Sequence, residues 1–207
     1  VHDDLPCFDD AAIRRGAPTV HRAHGEATAI LVGDALIVAG FEALGRPTHA
    51  GQLVALFASA LGAQRGLVAG QAWEAEDAAD VGHYHRAKTG ALFEAAAAAG
   101  AIVAGADPGP VRVLGTHLGE AYQILDDVID ASQSPSQAGK STGRDSALGR
   151  PTAVDRLGIE RAFTRALELL EDASEAVPMV SDRHYLLRFL RDTRALLLAR
   201  SGGWQRQ

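Results

Sequence analysis

The chain has 207 residues, and its 47% hydrophobic and 22% charged composition is that of a globular domain, which excludes disorder and fibres. A net charge of −6 with no basic tract argues against nucleic acid as a partner. The single cysteine, Cys7, excludes an internal disulfide or a CxxC metal site in these residues and suits a reducing cytoplasm.

Forty Ala and 23 Leu against 14 Val and 7 Ile predict an all-α chain. In chain order, Val1 to Asp10 reads as a short acidic helix end, followed by a loop through Arg14, Arg15, Gly16 and Pro18. Glu26 to Leu44 is apolar on nearly every side. That predicts a helix buried in a core or against a second subunit, with Asp34 as a buried, hydrogen-bonded aspartate. Gly45 and Pro47 end it. Leu53, Leu56, Phe57, Leu61 and Val68 carry the next helix. Asp80 is the expected N-cap of a helix reaching Ala99, with Gly100 its stop. Asp107-Pro108-Gly109-Pro110 is a break, and a helix from about Val111 to Ala131 follows. A polar loop to Arg150 precedes two amphipathic helices, about Ala153 to Glu175 and Asp182 to Arg200. No repeat or linker divides the chain, so residues 1–207 form one domain. The charge-free run from Ala95 to Ala106 is too short, and too rich in Ala and Gly, to cross a bilayer, and no secretory signal is visible. A helical domain that opens directly on an acidic motif is expected to lack an N-terminal part.

Two acidic clusters carry the chemistry. In Asp3-Asp4-Leu5-Pro6-Cys7-Phe8-Asp9-Asp10, residues six apart would diverge on an unbroken helix, but Pro6 lets the chain bulge and bring Asp9 beside Asp3. In Asp126-Asp127-Val128-Ile129-Asp130, Asp126 and Asp130 share one helix face, with Asp127 on its shoulder and Gln123 a turn earlier. Like charges so placed cost a helix roughly 0.2–0.5 kcal/mol per pair, so a cation is expected there. Carboxylates without His or Cys select hard ions such as Mg²⁺, which favours few carboxylates plus phosphate oxygens. Arg14, Arg15, Lys88 with Thr89, Lys140 and Arg150 supply the cations of a diphosphate clamp.

The order Asp-Asp-x₄-Asp with Arg14-Arg15-Gly16, Lys88-Thr89-Gly90, Gln123 to Asp130, and Gly139 to Asp145 resembles the trans-isoprenyl diphosphate synthases. The local wording is similar to bacterial geranylgeranyl diphosphate synthases. The resemblance implies an isoprenoid-synthase helical bundle around a central cavity, lacking its first helices, with the two aspartate motifs facing each other across the mouth. It implies three Mg²⁺ ions, with Asp3, Asp9 and Asp126 as direct ligands and Asp4, Asp127 and Asp130 in support. Arg14, Lys88, Thr89, Gln123 and Lys140 match positions that hold an allylic diphosphate, and Arg15 one that contacts isopentenyl diphosphate. Arg150 stands where many relatives carry Lys. The upstream Gly-Lys-x-Arg-Pro segment and a further histidine of the isopentenyl site are absent, which predicts weak binding of that substrate by these residues alone. The expected protein is cytoplasmic and homodimeric, elongating prenyl chains to about twenty carbons. A farnesyl-length synthase, a class I terpene cyclase and an inactive subunit of a heteromeric synthase are the alternatives.

Among the remaining residues, His83 and His85 diverge by about 200° on a helix, so a shared ion is not expected. His21 and His24 read as a loop-exposed pair, and Cys7 as a packing residue.

Overall fold

The computed structural model describes residues 1–46, 48–74, 80–132 and 152–201. The elements run β1 (Ile13–Arg14), β2 (Ala17–Pro18), α1 (Val20–His24), α2 (Glu26–Leu44), α3 (Ala50–Leu61), α4 (Leu67–Trp73) and α5 (Val81–His85). A π-helical turn (Arg86–Gly90) leads into α6 (Ala91–Val103), then α7 (Gly109–Ser132), α8 (Ala153–Leu157), α9 (Ile159–Glu175) and α10 (Arg183–Arg200). The all-α expectation holds. The described strands are the two residues on each side of a hairpin, paired antiparallel with Arg14 opposite Ala17.

Helix α7 is the axis of the bundle, packed between α6 and α9. Its stripe Leu118, Ala121, Leu125 and Val128 meets Ala162, Ala166, Leu169 and Ala173 of α9, and Leu190 and Leu197 of α10 join the same core. Alanines at those positions let α9 approach closely, while Leu125, Val128 and Leu169 fill the interior completely. On the other side of α7, a Cβ on Gly119 would stand 2.8 Å from the Cα of Gly90, so only glycine permits this crossing with the π turn.

Several elements differ from the sequence reading. Residues 1–10 form consecutive turns instead of a helix end, because Pro6 stops helical pairing. The loop at Arg14 to Pro18 closes as a hairpin whose tip, Arg15 (φ 55°) and Gly16 (φ 77°), is left-handed at both central residues, as a two-residue hairpin turn requires. The helix expected from Leu53 to Val68 breaks between Leu61 and Leu67. Helix α6 runs past Gly100 and ends at Val103, before Gly105 (φ 69°). The first C-terminal helix divides at Gly158 (φ 76°). The Asp80 N-cap stands: its side chain accepts the His83 backbone N–H at 2.8 Å.

The largest departure is α2. It buries only Ala29 and Gly33, leaving Ile30, Leu31, Leu36, Ile37 and Val38 exposed. Among the described residues it is therefore not a core helix. By length and composition it would also span a bilayer, at 19 residues and mean hydropathy 1.8. Its centre, however, carries Asp34, which is exposed, not buried, and lies 3.5 Å from His2; hydrocarbon penalises such a charge. His21 is buried and Cys7 exposed, both opposite to expectation.

Candidate active site

The first aspartate cluster is shaped by its backbone. The Asp9 N–H donates to the Asp3 carbonyl at 3.0 Å, so the bulge at Pro6 does return the chain to Asp3. Asp4 is buried, and Arg14 on β1 donates to its Oδ1 through Nε at 2.8 Å and through Nη2 at 2.5 Å. The same Nη2 lies 3.4 Å from Asp3 Oδ2. Burial works against the Arg14 charge, but the hydrogen bond and attraction of Asp4, with Asp3 and Asp9 adding, raise its pKa above the usual arginine value. Asp3 keeps one oxygen, Oδ1, buried and without a hydrogen-bond partner. Arg15 is exposed at the hairpin tip, beside the cavity lined by Asp3, Asp4 and Arg14.

A second layer steadies this hairpin. The buried Thr19 hydroxyl donates to the Ala11 carbonyl at 2.6 Å, so its oxygen is left to accept from His21 Nδ1 at 3.1 Å. That assigns the His21 proton to Nδ1 and turns Nε2 toward Asp10, 3.7 Å away, which itself pairs with Arg22 at 2.8 Å. Thr19 was not singled out from sequence and His21 was read only as loop-exposed, because their use depends on the fold of the hairpin.

The π turn aims the second set. One added residue per turn changes the direction of the side chains that follow it, and such turns concentrate at functional sites. Gly70 of α4 packs directly on the Lys88 backbone, where a Cβ would collide. Lys88 Nζ donates to Glu74 Oε1 at 2.7 Å, and Gln71 Nε2 holds the other Glu74 oxygen at 2.8 Å. Sequence reading missed Gln71 and Glu74: Glu74 heads an acidic run with Glu76 and Asp77 that reads as a solvated face.

Thr89 donates to Gln123 Oε1 at 2.6 Å, and Gln123 Nε2 donates to Asp127 Oδ1 at 3.0 Å. Asp127 is 2% exposed, and its Oδ2 accepts the Ala153 N–H at the start of α8, at 2.8 Å. Asp126 and Asp130 are only half-buried on the neighbouring face, and Arg200 of α10 reaches within 3.6 Å of Asp126. A hydrogen bond with Tyr122 raises the Arg200 pKa against the opposing effect of burial, and Asp126 adds to it. The structure thus joins Asp3, Asp4 and Arg14 in one group, and Thr89, Gln123 and Asp127 in another. Lys140 and Arg150, with the Gly139 to Asp145 motif and Pro47, lie outside the described residues.

His85 is buried beside Asp127, with Nε2 3.7 Å from Oδ2 and 2.8 Å from the Tyr84 hydroxyl. Burial lowers its pKa from 6.5 to about 4, with Lys88 and Arg156 adding to the shift. The imidazole is therefore neutral at pH 7 and its contact with Asp127 is not an ion pair. A depressed folded-state pKa means the unfolded chain takes up the proton first as pH falls. Stability from neutral His85 is complete above pH 6.5 and is lost progressively down to about pH 4. Urea denaturation of His85→Gln at several pH values should show a shallower loss across that window than the parent chain. An unchanged pH profile would refute the assignment.

Among the described residues no three His, Cys, Asp or Glu side chains converge into a ready-made metal cage. That suits a hard divalent ion shared with phosphate oxygens, and the partnerless Asp3 Oδ1 and the half-buried Asp126 and Asp130 are oxygen donors of the right kind.

Comparison with known proteins identifies the family. A polyprenyl synthetase family model matches residues 1–184. The chain is 48% identical over 196 residues to a geranylgeranyl diphosphate synthase of Cereibacter sphaeroides, covering 92% of this chain and 68% of that protein. It is 46% identical to one of Rhodobacter capsulatus, covering 86% and 63%. The chain thus spans about two thirds of the length of these relatives. Its fold superposes, with a TM-score of 0.76 and 31% identity, on a Helicobacter pylori geranyltransferase complexed with magnesium and isoprenyl diphosphate, covering 96% of this chain and 68% of that one. The fold, the clustered aspartates and these similarities make the chain a member of the polyprenyl synthetase family.

Proposed function

We propose that this chain is a prenyltransferase that condenses isopentenyl diphosphate with an allylic diphosphate, to a product of about twenty carbons. The observation that carries this reading is the chain of contacts from Thr89 through Gln123 to Asp127. It ties the π turn that carries Lys88 and Thr89 to the helix that carries Asp126, Asp127 and Asp130. The relatives named geranylgeranyl diphosphate synthase support the product length.

Asp3, Asp9 and Asp126 are the proposed direct ligands of three Mg²⁺ ions, supported by Asp4, Asp127 and Asp130. Bound magnesium would neutralise charge on the diphosphate leaving group. Lys88, Arg14, Lys140 and Arg150 are the proposed positive charges for the same group, while Thr89 and Gln123 orient it. Breaking the allylic C–O bond leaves its electron pair on the diphosphate and a cation on the carbon chain. The double bond of isopentenyl diphosphate, placed by Arg15, attacks that cation, and the departed diphosphate accepts the proton released. Apolar walls keep water from quenching the cation.

Incubation with isopentenyl and farnesyl diphosphates plus Mg²⁺, followed by sizing of the products, tests the reading. A twenty-carbon diphosphate supports it, and a cyclic hydrocarbon would favour a terpene cyclase. No prenyl product at all, from protein shown to be folded, would refute it.

The exposed apolar face of α2 is the proposed homodimer surface. Leu31→Glu with Val38→Glu should convert the dimer to monomer in light scattering. An unaltered mass would place the contact elsewhere.

A further inference from the structure

We propose that the chain carries a second, metal-independent site for an amphiphilic organic phosphate, in the cavity between α3, the π turn, α6 and the first half of α7. The cavity has a volume of about 450 Å³, inside the range of small-molecule pockets. Three arginines line it: Arg65, Arg86 and Arg112. Arg112 is neutralised by Glu94 at 2.5 Å. Among the described residues Arg65 and Arg86 have no hydrogen-bond or ion-pair partner, and both line one concave surface. Of the described lining residues the one acid is Glu94, already paired, and no described motif aspartate is among them.

Much of the remaining lining is apolar or small. Ala60, Ala87, Ala91 and Leu56 contribute to it, as does Trp73, whose ring centroid is 4.5 Å from that of His83. A bare inorganic anion would satisfy the arginines and leave the apolar lining in water. A hydrocarbon would cover the apolar lining and leave the arginines without an acceptor. A phosphate or diphosphate head on a short apolar body suits both kinds of lining, with the head taken in the bidentate mode guanidinium favours. The site is separate from the proposed reaction centre by helix geometry. Arg86, Ala87, Gly90 and Ala91 line the cavity, whereas Lys88 and Thr89 between them reach Glu74 and Gln123. The proposal uses neither the reaction nor its products, although occupancy would load the same five-residue turn that aims Lys88.

Trp73 supplies the reporter. In a Trp204→Phe background, which leaves Trp73 as the one tryptophan of the sequence, geranyl diphosphate is titrated in excess EDTA, with inorganic diphosphate and geraniol as separate arms. Saturable quenching by geranyl diphosphate is expected, with both other probes at least about tenfold weaker. Arg65→Ala and Arg86→Ala should each weaken it about tenfold or more, the loss of one charge-assisted contact. Asp126→Asn and Arg15→Ala should leave it unchanged. The proposal is overturned by absence of metal-free quenching, or by inorganic diphosphate binding equally well. It is also overturned if quenching survives both arginine changes in folded protein or disappears with Asp126→Asn. Because no metal and no turnover enter the measurement, its failure leaves the prenyltransferase reading intact, and the product assay can fail without it.

Discussion

Asp126→Ala should abolish prenyl transfer while the helical circular dichroism signal and the melting temperature stay close to those of the parent. Asp126 is half-buried on α7 and its described partner is Arg200, itself partly exposed, so the ion pair contributes little to stability. As a proposed metal ligand, however, it acts where the transition state gathers charge. Removal of a single electrostatic contact there typically costs about 10²–10³-fold in turnover, and loss of an ion costs more. Its neighbour behaves differently. Asp127 is buried with Gln123 Nε2 and the Ala153 N–H on its oxygens, so Asp127→Ala strands two donors and should destabilise the fold by about 1–3 kcal/mol. Activity assays paired with denaturation curves separate the two. Equal stability loss in both variants, or full activity in Asp126→Ala, would defeat the division of roles.

Arg14→Ala should be nearly as damaging, and for two reasons at once. Its guanidinium is the partner of the buried Asp4 and touches Asp3, so removing it leaves Asp4 charged and without that donor pair at the base of the first cluster. Arg14 is itself substantially exposed, and solvent screening limits the stability cost to about 1–2 kcal/mol. The larger effect is on geometry. Asp3 loses a direct contact and Asp9 a nearby opposite charge, and turnover should fall about a hundredfold or more. Arg14→Lys should fail to rescue it, because one ammonium cannot make both contacts to Asp4 through a planar fork. Steady-state kinetics on both variants provide the measurement. Recovery by lysine would mean that charge alone matters at this position.

How much of this was legible in the sequence depends on whether a residue acts through its neighbours in the chain or through the fold. The helices around Leu125 and Leu169 follow from apolar periodicity, and the Asp80 cap from a side chain three residues from its target. The return of Asp9 to Asp3 follows from Pro6. The hairpin at Arg15 did not announce itself, because four paired residues carry no alternation to detect and a non-glycine left-handed residue has no compositional mark. Asp4 and Asp127 look the same as Asp3 and Asp126 on paper, and only tertiary burial separates the oxygens used by protein donors from those left outward. Glu74 went unseen because its partner Lys88 lies fourteen residues away, and His85 was weighed only as a partner of His83, because its place beside Asp127 depends on the fold. For helix α2 a core and a subunit face both stayed open, because apolarity on every side is the signature of either.

The widened turn at Arg86 to Gly90 carries one residue more than a regular helix would place there. Excising Ala87 would let the segment rewind into an unbroken α-helix, with better backbone pairing. Each later side chain keeps its own phase relative to α6, but those upstream, from α5 back to Asp80, would swing by about 100° around the axis. A shortened chain of that kind would trade a sturdier rod for a misdirected one. The extra residue is a built-in clutch between two halves of a helix whose opposite ends answer to different neighbours.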